Sequence, residues 1–198
     1  PEQARTVIDT CTDTRMRARL MVALLCGLRQ GEALGLEWAD VHETDARPTI
    51  RVRQSMTVVR GKGRKVGPAK SRRSDREVPL FPAVVDALKL WRKESGGGGY
   101  VFPADPRPGK PVDPTALRDP SRDAKDWSAA LAAAGVDHIP LHGARGTLAT
   151  ILMEQGVPDR VIADILGHDV LVDQRHYQHS DDAQRRAAIA SAGRELEG

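Results

Sequence analysis

The chain has 198 residues, 40% of them apolar and 29% charged, which is the composition of one soluble globular domain and excludes a disordered chain or a fibrous repeat. Its longest apolar stretch, near residues 20–26, is far shorter than the roughly 20 residues that cross a bilayer, so we expect a cytoplasmic protein with no membrane partner. The formal net charge is only +3 at pH 7, and this value alone excludes no class of partner.

The first half of the chain predicts helices on either side of a small sheet. A buried amphipathic helix is indicated by apolar residues that recur every four positions, at Met16, Leu20, Leu24 and Leu28. A second, short helix begins near Gln30. Partial alternation between Thr49 and Leu80, interrupted by a glycine-rich basic turn, predicts an antiparallel sheet of two or three strands. Pro82 then opens a helix that runs to about Lys93.

The second half predicts a long loop followed by helices. Residues 96–120 contain four successive glycines and six prolines, so we expect a surface loop, pinned to the core through Tyr100, Val101 and Phe102. Further helices are predicted at Ser121–Ala134, His142–Gln155, Asp159–Leu166 and Asp181–Ala192, with Gly167 as a helix stop. The fold class is therefore α+β and mainly helical, with residues 1–198 as one domain and 181–198 as a C-terminal tail helix.

Positive charge is concentrated in one stretch. Residues 50–76 carry ten basic residues and one acid, which gives +9, whereas the rest of the chain sums to −6. Such a stretch on a slightly acidic body is typical of a protein that binds a polyanion, nucleic acid first. A solvated basic loop is the alternative that charge alone leaves open.

Residues 25–41 carry the first recognisable motif. They read Leu-Cys-Gly-Leu-Arg-Gln-Gly-Glu-Ala-Leu-Gly-Leu-Glu-Trp-Ala-Asp-Val and resemble the first arginine motif of the tyrosine recombinases, the phage integrase family. The resemblance implies that Arg29 is the first catalytic arginine. Glu32, three residues on, can reach back along a helix to orient its guanidinium. Taken alone, Arg29 would instead be read as a helix cap.

Two further motifs follow in the same family's order. Residues 141–147, Leu-His-Gly-Ala-Arg-Gly-Thr, resemble its His-x-x-Arg box and would supply His142 and Arg145. Gly146 departs from the family, many members of which have a second histidine or a larger residue there. Leu166-Gly167-His168 is similar to the family's Leu-Gly-His element, and Tyr177 follows nine residues later, at the spacing of the family's nucleophile.

The resemblance implies a metal-free strand-transfer chemistry. Tyr177 would attack a phosphodiester to form a 3′-phosphotyrosyl link and a free 5′ hydroxyl, while Arg29 and Arg145 neutralise the charge that builds on the nonbridging oxygens. A phenol with a pKa of about 10 needs this help at neutral pH. The resemblance implies no cofactor, because the family needs neither metal nor nucleotide. The two cysteines and six histidines also show no short metal-ligand spacing, so we expect no metal.

The family's proton donor to the leaving oxygen is a lysine on a β-hairpin. Residues 69–80 resemble the usual hairpin ending in Val-Pro-Leu, which selects Lys70, although Lys62 in Gly61-Lys62-Gly63 resembles a version found in some members. His142 would assist removal of the tyrosine proton or stabilise the phosphate, and His168 would hydrogen-bond a nonbridging oxygen.

The resemblance also implies partners. Double-stranded DNA would be bound through its phosphates by Arg72, Arg73, Lys62 and Arg64, in a tetramer on DNA that forms from a free monomer in the bacterial cytoplasm. The terminal helix would pack onto a neighbouring protomer or onto its own body. Core-binding and arm-binding domains, which full-length members carry at the N-terminus, have no counterpart in these 198 residues, so we expect a catalytic-domain fragment or a minimal member of the family.

Two other functions remain open from the sequence. A type IB topoisomerase shares the chemistry but relaxes supercoils instead of joining partner strands. A DNA-binding module that keeps the fold without catalysis is the second alternative, although such a module has no need of a phenol placed after a Leu-Gly-His element. We therefore predict a site-specific DNA recombinase.

Overall fold

A computed structural model describes residues 1–68 and 75–167, which form seven α-helices and five β-strands. The helices are α1 (Glu2–Thr10), α2 (Thr14–Leu25), α3 (Gln30–Leu34), α4 (Pro82–Ser95), α5 (Pro120–Ala133), α6 (Gly143–Glu154) and α7 (Asp159–Leu166). The strands are β1 (Val41–His42), β2 (Thr49–Val52), β3 (Gln54–Val59), β4 (Gly63–Pro68) and β5 (Arg76–Pro79). The predicted mainly helical α+β class is confirmed.

The strands form two separate antiparallel units. One is a sheet of order β1-β2-β5, and the other is the hairpin β3–β4, in which Gln54 pairs with Pro68 and Val59 with Gly63. The sequence predicted one small sheet, but the run from residue 49 divides at Arg53. Arg53 is the residue between β2 and β3, and its guanidinium is held there by Asp40 (2.7 Å) and Glu37 (3.0 Å).

Most apolar side chains share one core, and a smaller cluster joins α6 to α7. Val101 and Phe102 are almost completely buried in the main core beside Trp38 and Trp127, so the segment between α4 and α5 is pinned there as predicted. Leu148 and Ile162 belong to the smaller cluster. In the part of the chain that the structure describes, no helix is both long and apolar enough to cross a membrane.

Local chemistry sets several helix boundaries. The side chain of Asp13 accepts a hydrogen bond from the backbone N–H of Met16 (2.6 Å) and so begins α2. Gly167 has a φ of +67° and ends α7, at the residue that the sequence predicted. Helix α1 was not predicted, although Ala4, Val7 and Ile8 have helical spacing and pack on the core, because this apolar face is short and only Val7 and Ile8 are fully buried.

Candidate active site

The turn between α2 and α3 presents Arg29. The chain leaves α2 through Gly27, whose φ is +61°, and a side-chain carbon there would lie 2.5 Å from Cδ2 of Leu166. Glu32 in α3 accepts hydrogen bonds from the backbone N–H (2.8 Å) and from Nη1 (2.7 Å) of Arg29. The predicted contact between these two residues is thus present. The Arg29 side chain is 42% exposed, so its guanidinium can be reached from solvent.

The second predicted arginine, Arg145, comes from the first turn of α6. Its side chain is only 9% exposed. Nη1 donates to the carbonyl oxygen of Gly27, and Nη2 donates to that of Leu166 (2.6 Å). Arg145 therefore reaches the same turn that presents Arg29, and the structure brings the two arginine motifs together.

Three successive carbonyl groups at the end of α7 each accept a hydrogen bond from a different arginine. The bonds join Arg76 Nε to Ile165 O (2.8 Å), Arg145 Nη2 to Leu166 O (2.6 Å) and Arg29 Nη2 to Gly167 O (3.2 Å). The last carbonyls of a helix have no partners within the helix and carry the negative end of its dipole. The three guanidinium groups supply the missing hydrogen-bond donors, and all three therefore lie at the C-terminal end of α7.

Glu32 is the carboxylate at the centre of this group, which we call the arginine cluster (Arg29, Arg76, Arg145 and Glu32). Arg76 donates to both of its oxygens (3.2 and 3.0 Å), and Nη1 of Arg145 lies 4.0 Å from Oε2. Burial alone would raise the pKa of Glu32. The hydrogen bonds and charge of Arg76, and then the hydrogen bonds of Arg29, outweigh burial and hold the pKa below its ordinary value.

The cluster has a surplus of positive charge. Three arginines, which stay protonated, meet one ionised glutamate. An anion placed beside the exposed Arg29 would therefore be attracted by a cluster whose formal charge is +2. This is the electrostatic arrangement that a phosphate group requires.

Arg76 was not predicted as a site residue, because it belongs to the basic stretch for which the sequence predicts contacts with a polyanion. In the structure its side chain is 6% exposed and is bound to Glu32. A signal for this placement does exist in the sequence. Arg76 alternates with Val78 along β5, and both are buried while Glu77 between them is exposed. An arginine in phase with core residues indicates a buried ion pair and not a surface contact.

Two glycines allow the hairpin to pack directly on the helix that follows Arg29. A side-chain carbon at Gly31 would lie 2.5 Å from the carbonyl oxygen of Met56, and one at Gly35 would lie 3.0 Å from the backbone nitrogen of Met56. Met56 is in β3, so backbone meets backbone across this contact. The base of the hairpin is thereby fixed relative to the arginine cluster.

His142 is the residue that precedes α6, and it is exposed. It lines a pocket of about 310 Å³ together with Gln30, which follows Arg29 in the chain, and with His138 and Trp127. The predicted histidine thus lies on the α3 side of α6, while Arg145, one turn later, is buried.

The basic stretch divides into paired and exposed residues. Arg53 and Arg76 form ion pairs with acids of the body, and Arg51 lies 3.6 Å from Asp75. Within the described part of this stretch, Arg51 is exposed in β2, and the other exposed bases belong to the hairpin and are Arg60, Lys62, Arg64 and Lys65. Lys62 is in the turn at the hairpin tip, and Arg64 lies 3.8 Å from Asp119 at the start of α5.

Five predicted residues lie outside the described residues: Lys70, Arg72, Arg73, His168 and Tyr177. The predicted tail helix also lies outside them. In the sequence, Lys70 precedes Arg76 by six positions, and His168 directly follows Gly167, whose carbonyl accepts a hydrogen bond from Arg29.

Comparison with known proteins gives a consistent family match. The model of the phage integrase family matches residues 1–184. A tyrosine recombinase XerC-like protein of Caldanaerobacter subterraneus is 30% identical over 95% of this chain and 51% of its own length. An integrase of Saccharopolyspora erythraea is 26% identical over 93% of this chain and 54% of its own. The chain therefore spans about half the length of these curated relatives.

Solved structures show the same fold. The XerA recombinase superposes with a TM-score of 0.69 at 25% identity, covering 96% of this chain and 63% of that one. The Tn1549 transposon integrase in complex with transposon right end DNA superposes with a TM-score of 0.77 at 16% identity, covering 96% and 64%.

Proposed function

This chain belongs to the phage integrase family, and from that premise we propose that it is the catalytic domain of a site-specific DNA recombinase that cuts and rejoins strands through a tyrosine. The observation that carries the proposal is the arginine cluster. The two arginines selected by separate sequence motifs, Arg29 and Arg145, both donate to the end of α7 beside one buried glutamate. A cluster with surplus positive charge and one exposed guanidinium supports phosphate chemistry.

In the proposed reaction the Tyr177 oxygen forms a bond to phosphorus as the bond from phosphorus to the 5′ oxygen breaks. Arg29 and Arg145 donate to the nonbridging oxygens, where negative charge builds in the transition state. The phenol loses its proton with the help of His142, and Lys70 gives a proton to the leaving 5′ oxygen. His168 adds a hydrogen bond to a nonbridging oxygen. The 5′ hydroxyl of a partner strand then reverses the step, so no external energy source is consumed.

Lys70 is preferred to Lys62 as the proton donor because of where the chain is anchored. Lys62 is at the hairpin tip, whereas the contact with α3 is at Met56 near the hairpin base. Three residues of a strand separate Met56 from the last residue of β3, or about 10 Å. Lys70 instead lies between the end of β4 and Arg76 in the sequence, and Arg76 is part of the cluster.

The proposed partner is double-stranded DNA. The exposed bases of the hairpin, with Arg72 and Arg73, would contact its phosphates. Assembly of a tetramer on DNA from free monomers, with the 181–198 tail coupling one protomer to the next, belongs to the same proposal.

The test is capture of the covalent intermediate. The chain is incubated with a pool of nicked duplex DNA of randomised sequence, the mixture is denatured in detergent, and protein-linked DNA is recovered and sequenced. We expect a 3′ link that mass spectrometry of the digested protein places on Tyr177. Tyr177→Phe abolishes it, and Tyr100→Phe, which removes the only other tyrosine of the chain, does not.

Other outcomes would contradict the proposal. A link that persists in Tyr177→Phe removes Tyr177 as the nucleophile. DNA binding without any covalent link in the parent chain favours the non-catalytic module. Relaxation of supercoiled plasmid with no sequence enriched among the recovered DNA favours a type IB topoisomerase.

A further inference from the structure

We propose that Arg76 is a positioning residue for strand cleavage, which ties Glu32 to the end of α7 and thereby keeps Arg29 and Arg145 at the spacing that one phosphate needs. The expected effect on cleavage rests on the proposed function. The contacts of Arg76 are observed in the structure and do not depend on that function.

Arg76 joins three elements that are far apart in the sequence. It begins β5, donates through both terminal nitrogens to Glu32 of α3, and donates through Nε to Ile165 O of α7. Its partners are 44 and 89 positions away. A planar guanidinium makes these bonds in one fixed orientation, which the single ammonium of a lysine cannot do.

The end of α7 is shaped to receive this guanidinium. A side-chain carbon at Gly167 would lie 2.8 Å from Nη1 and 3.0 Å from Cζ of Arg76. Gly167 also has a φ of +67°, which other residues rarely adopt. Both the conformation and the close approach therefore require glycine, and both serve the contact between α7 and β5.

Arg76 binds the carboxylate of the cluster and does not serve as a phosphate ligand itself. Both of its terminal nitrogens donate to Glu32, whereas those of Arg145 donate to neutral carbonyl groups and Arg29 is 42% exposed. The effect of Arg76 must pass through Glu32, which orients Arg29, and through the carbonyl groups of α7, which hold Arg29 and Arg145.

Removal of Arg76 would change where the other arginines lie. Glu32 would lose its two bonds from Arg76, and Nη1 of Arg145, now 4.0 Å from Oε2, would be drawn towards that oxygen, which would still accept the backbone N–H of Arg29. The carbonyl of Ile165 would lose its donor at the same time. Displacement of a catalytic group by about 1 Å can cost about 100-fold in rate.

The experiment compares Arg76→Met and Arg76→Lys with the parent chain. On duplexes recovered from the randomised pool, we expect Arg76→Met to slow formation of the covalent complex at saturating DNA by about 100-fold while DNA affinity is kept. Arg76→Lys restores part of the rate, because it keeps one charged contact to Glu32. Arg92→Met is the matched control: it also removes an arginine from a buried glutamate, Glu43, but outside the arginine cluster, and should leave the rate unchanged.

A second measurement reads the geometry without cleavage. In the DNA-free chain with isotope-labelled arginine, the Nε–H signal of Arg29, identified by its loss in Arg29→Lys, should shift in Arg76→Met and not in Arg92→Met. An unshifted signal together with a parental cleavage rate would overturn the inference. If the parent chain cleaves no DNA, the proposed function fails, while the signal still decides whether Arg76 positions Arg29. If Arg76→Met does not fold, the same two readings on Arg76→Lys decide.

Discussion

Arginines and carboxylates meet in two regions of this molecule, and the two regions differ in their balance of charge. The α5 network has a buried part, which consists of Arg15, Arg19 and Arg118 with Asp105, Asp123 and Asp126. These three arginines, each less than a fifth exposed, are matched by the three aspartates, and Arg122, which is 62% exposed, joins the network from the surface through Asp105 and Asp126. The arginine cluster has three arginines and one glutamate.

The difference separates a structural role from a chemical one. In the α5 network Arg19 and Asp123 form a two-bond pair (3.0 and 2.9 Å) in which both side chains are 3% exposed. Such a pair holds α2 against α5 and has no charge left for a ligand. In the arginine cluster the surplus charge is stabilised by the end of α7 and is exposed at Arg29. Arginine content alone therefore does not identify a phosphate site.

The largest expected effect is a loss of stability when the α5 network is broken. Arg19→Met leaves the carboxylate of Asp123 buried without its main partner, and we expect the free energy of unfolding to fall by about 3–5 kcal/mol. Urea denaturation measures the change. Arg15→Met is the control, because its partner Asp105 is 45% exposed and keeps Arg118, so the loss should be about 1 kcal/mol or less. Equal losses of unfolding free energy in Arg19→Met and Arg15→Met would contradict the structural role assigned to the buried Arg19–Asp123 pair.

The next effect is on catalysis. Arg29→Met should slow covalent-complex formation by about 100-fold to 1,000-fold, since a donor to the charged transition state is lost. The free energy of unfolding should change by about 1 kcal/mol or less, because the side chain is 42% exposed. Arg17→Met, which removes a similarly exposed arginine near Asp9, should leave the rate at the parental value. A normal rate in Arg29→Met would remove Arg29 from the site.

The third prediction concerns the pH dependence of stability, which the arginine cluster affects through Glu32. Because the pKa of Glu32 is lowered by folding, its ionisation stabilises the protein above the unfolded pKa of about 4.3, and this contribution is lost as pH falls through the folded pKa. In Arg76→Met the main opposing cause is gone and burial raises the pKa, so this acid-induced loss should shrink. Unfolding free energies of both chains measured from neutral pH downwards test this, and parallel curves would contradict it.

The smallest effect concerns salt. Neutralising Arg72 and Arg73 should reduce the slope of log affinity for DNA against log salt by about one unit per residue. Arg53→Gln, within the same basic stretch, should leave the slope unchanged, because Arg53 is already bound by Asp40 and Glu37. A slope that Arg72 and Arg73 do not affect would mean that they face solvent.

The sequence predicted those features that depend on neighbouring residues. The contact of Arg29 with Glu32 follows from their spacing of three, and α7 has the predicted bounds because Gly167 ends its apolar period. The motifs selected Arg29 and Arg145 separately, and the structure brings them together.

Contacts between distant parts of the chain could not be predicted in this way. The position of Arg76 depends on Glu32 and Ile165, and no local spacing encodes either contact. The guanidinium of Arg53, at the division of the strands, is likewise held by Asp40 and Glu37, which bind it from an earlier turn. In both cases the charge was visible in the sequence, but the partner was not.

The contact of Gly31 and Gly35 with Met56 divides the β3–β4 hairpin into a fixed base and an exchangeable tip. Beyond Met56, Val58 is 64% exposed, and side-chain carbons added at Gly61 and Gly63 would meet no atom within 4 Å. Tips of other lengths and charges can therefore be grafted between residues 58 and 64 without moving α3. Exchange of these residues would therefore change how strongly the protein holds the phosphates of DNA while the arginine cluster stays in place, and sequence variation should be tolerated more freely in the tip than in the base.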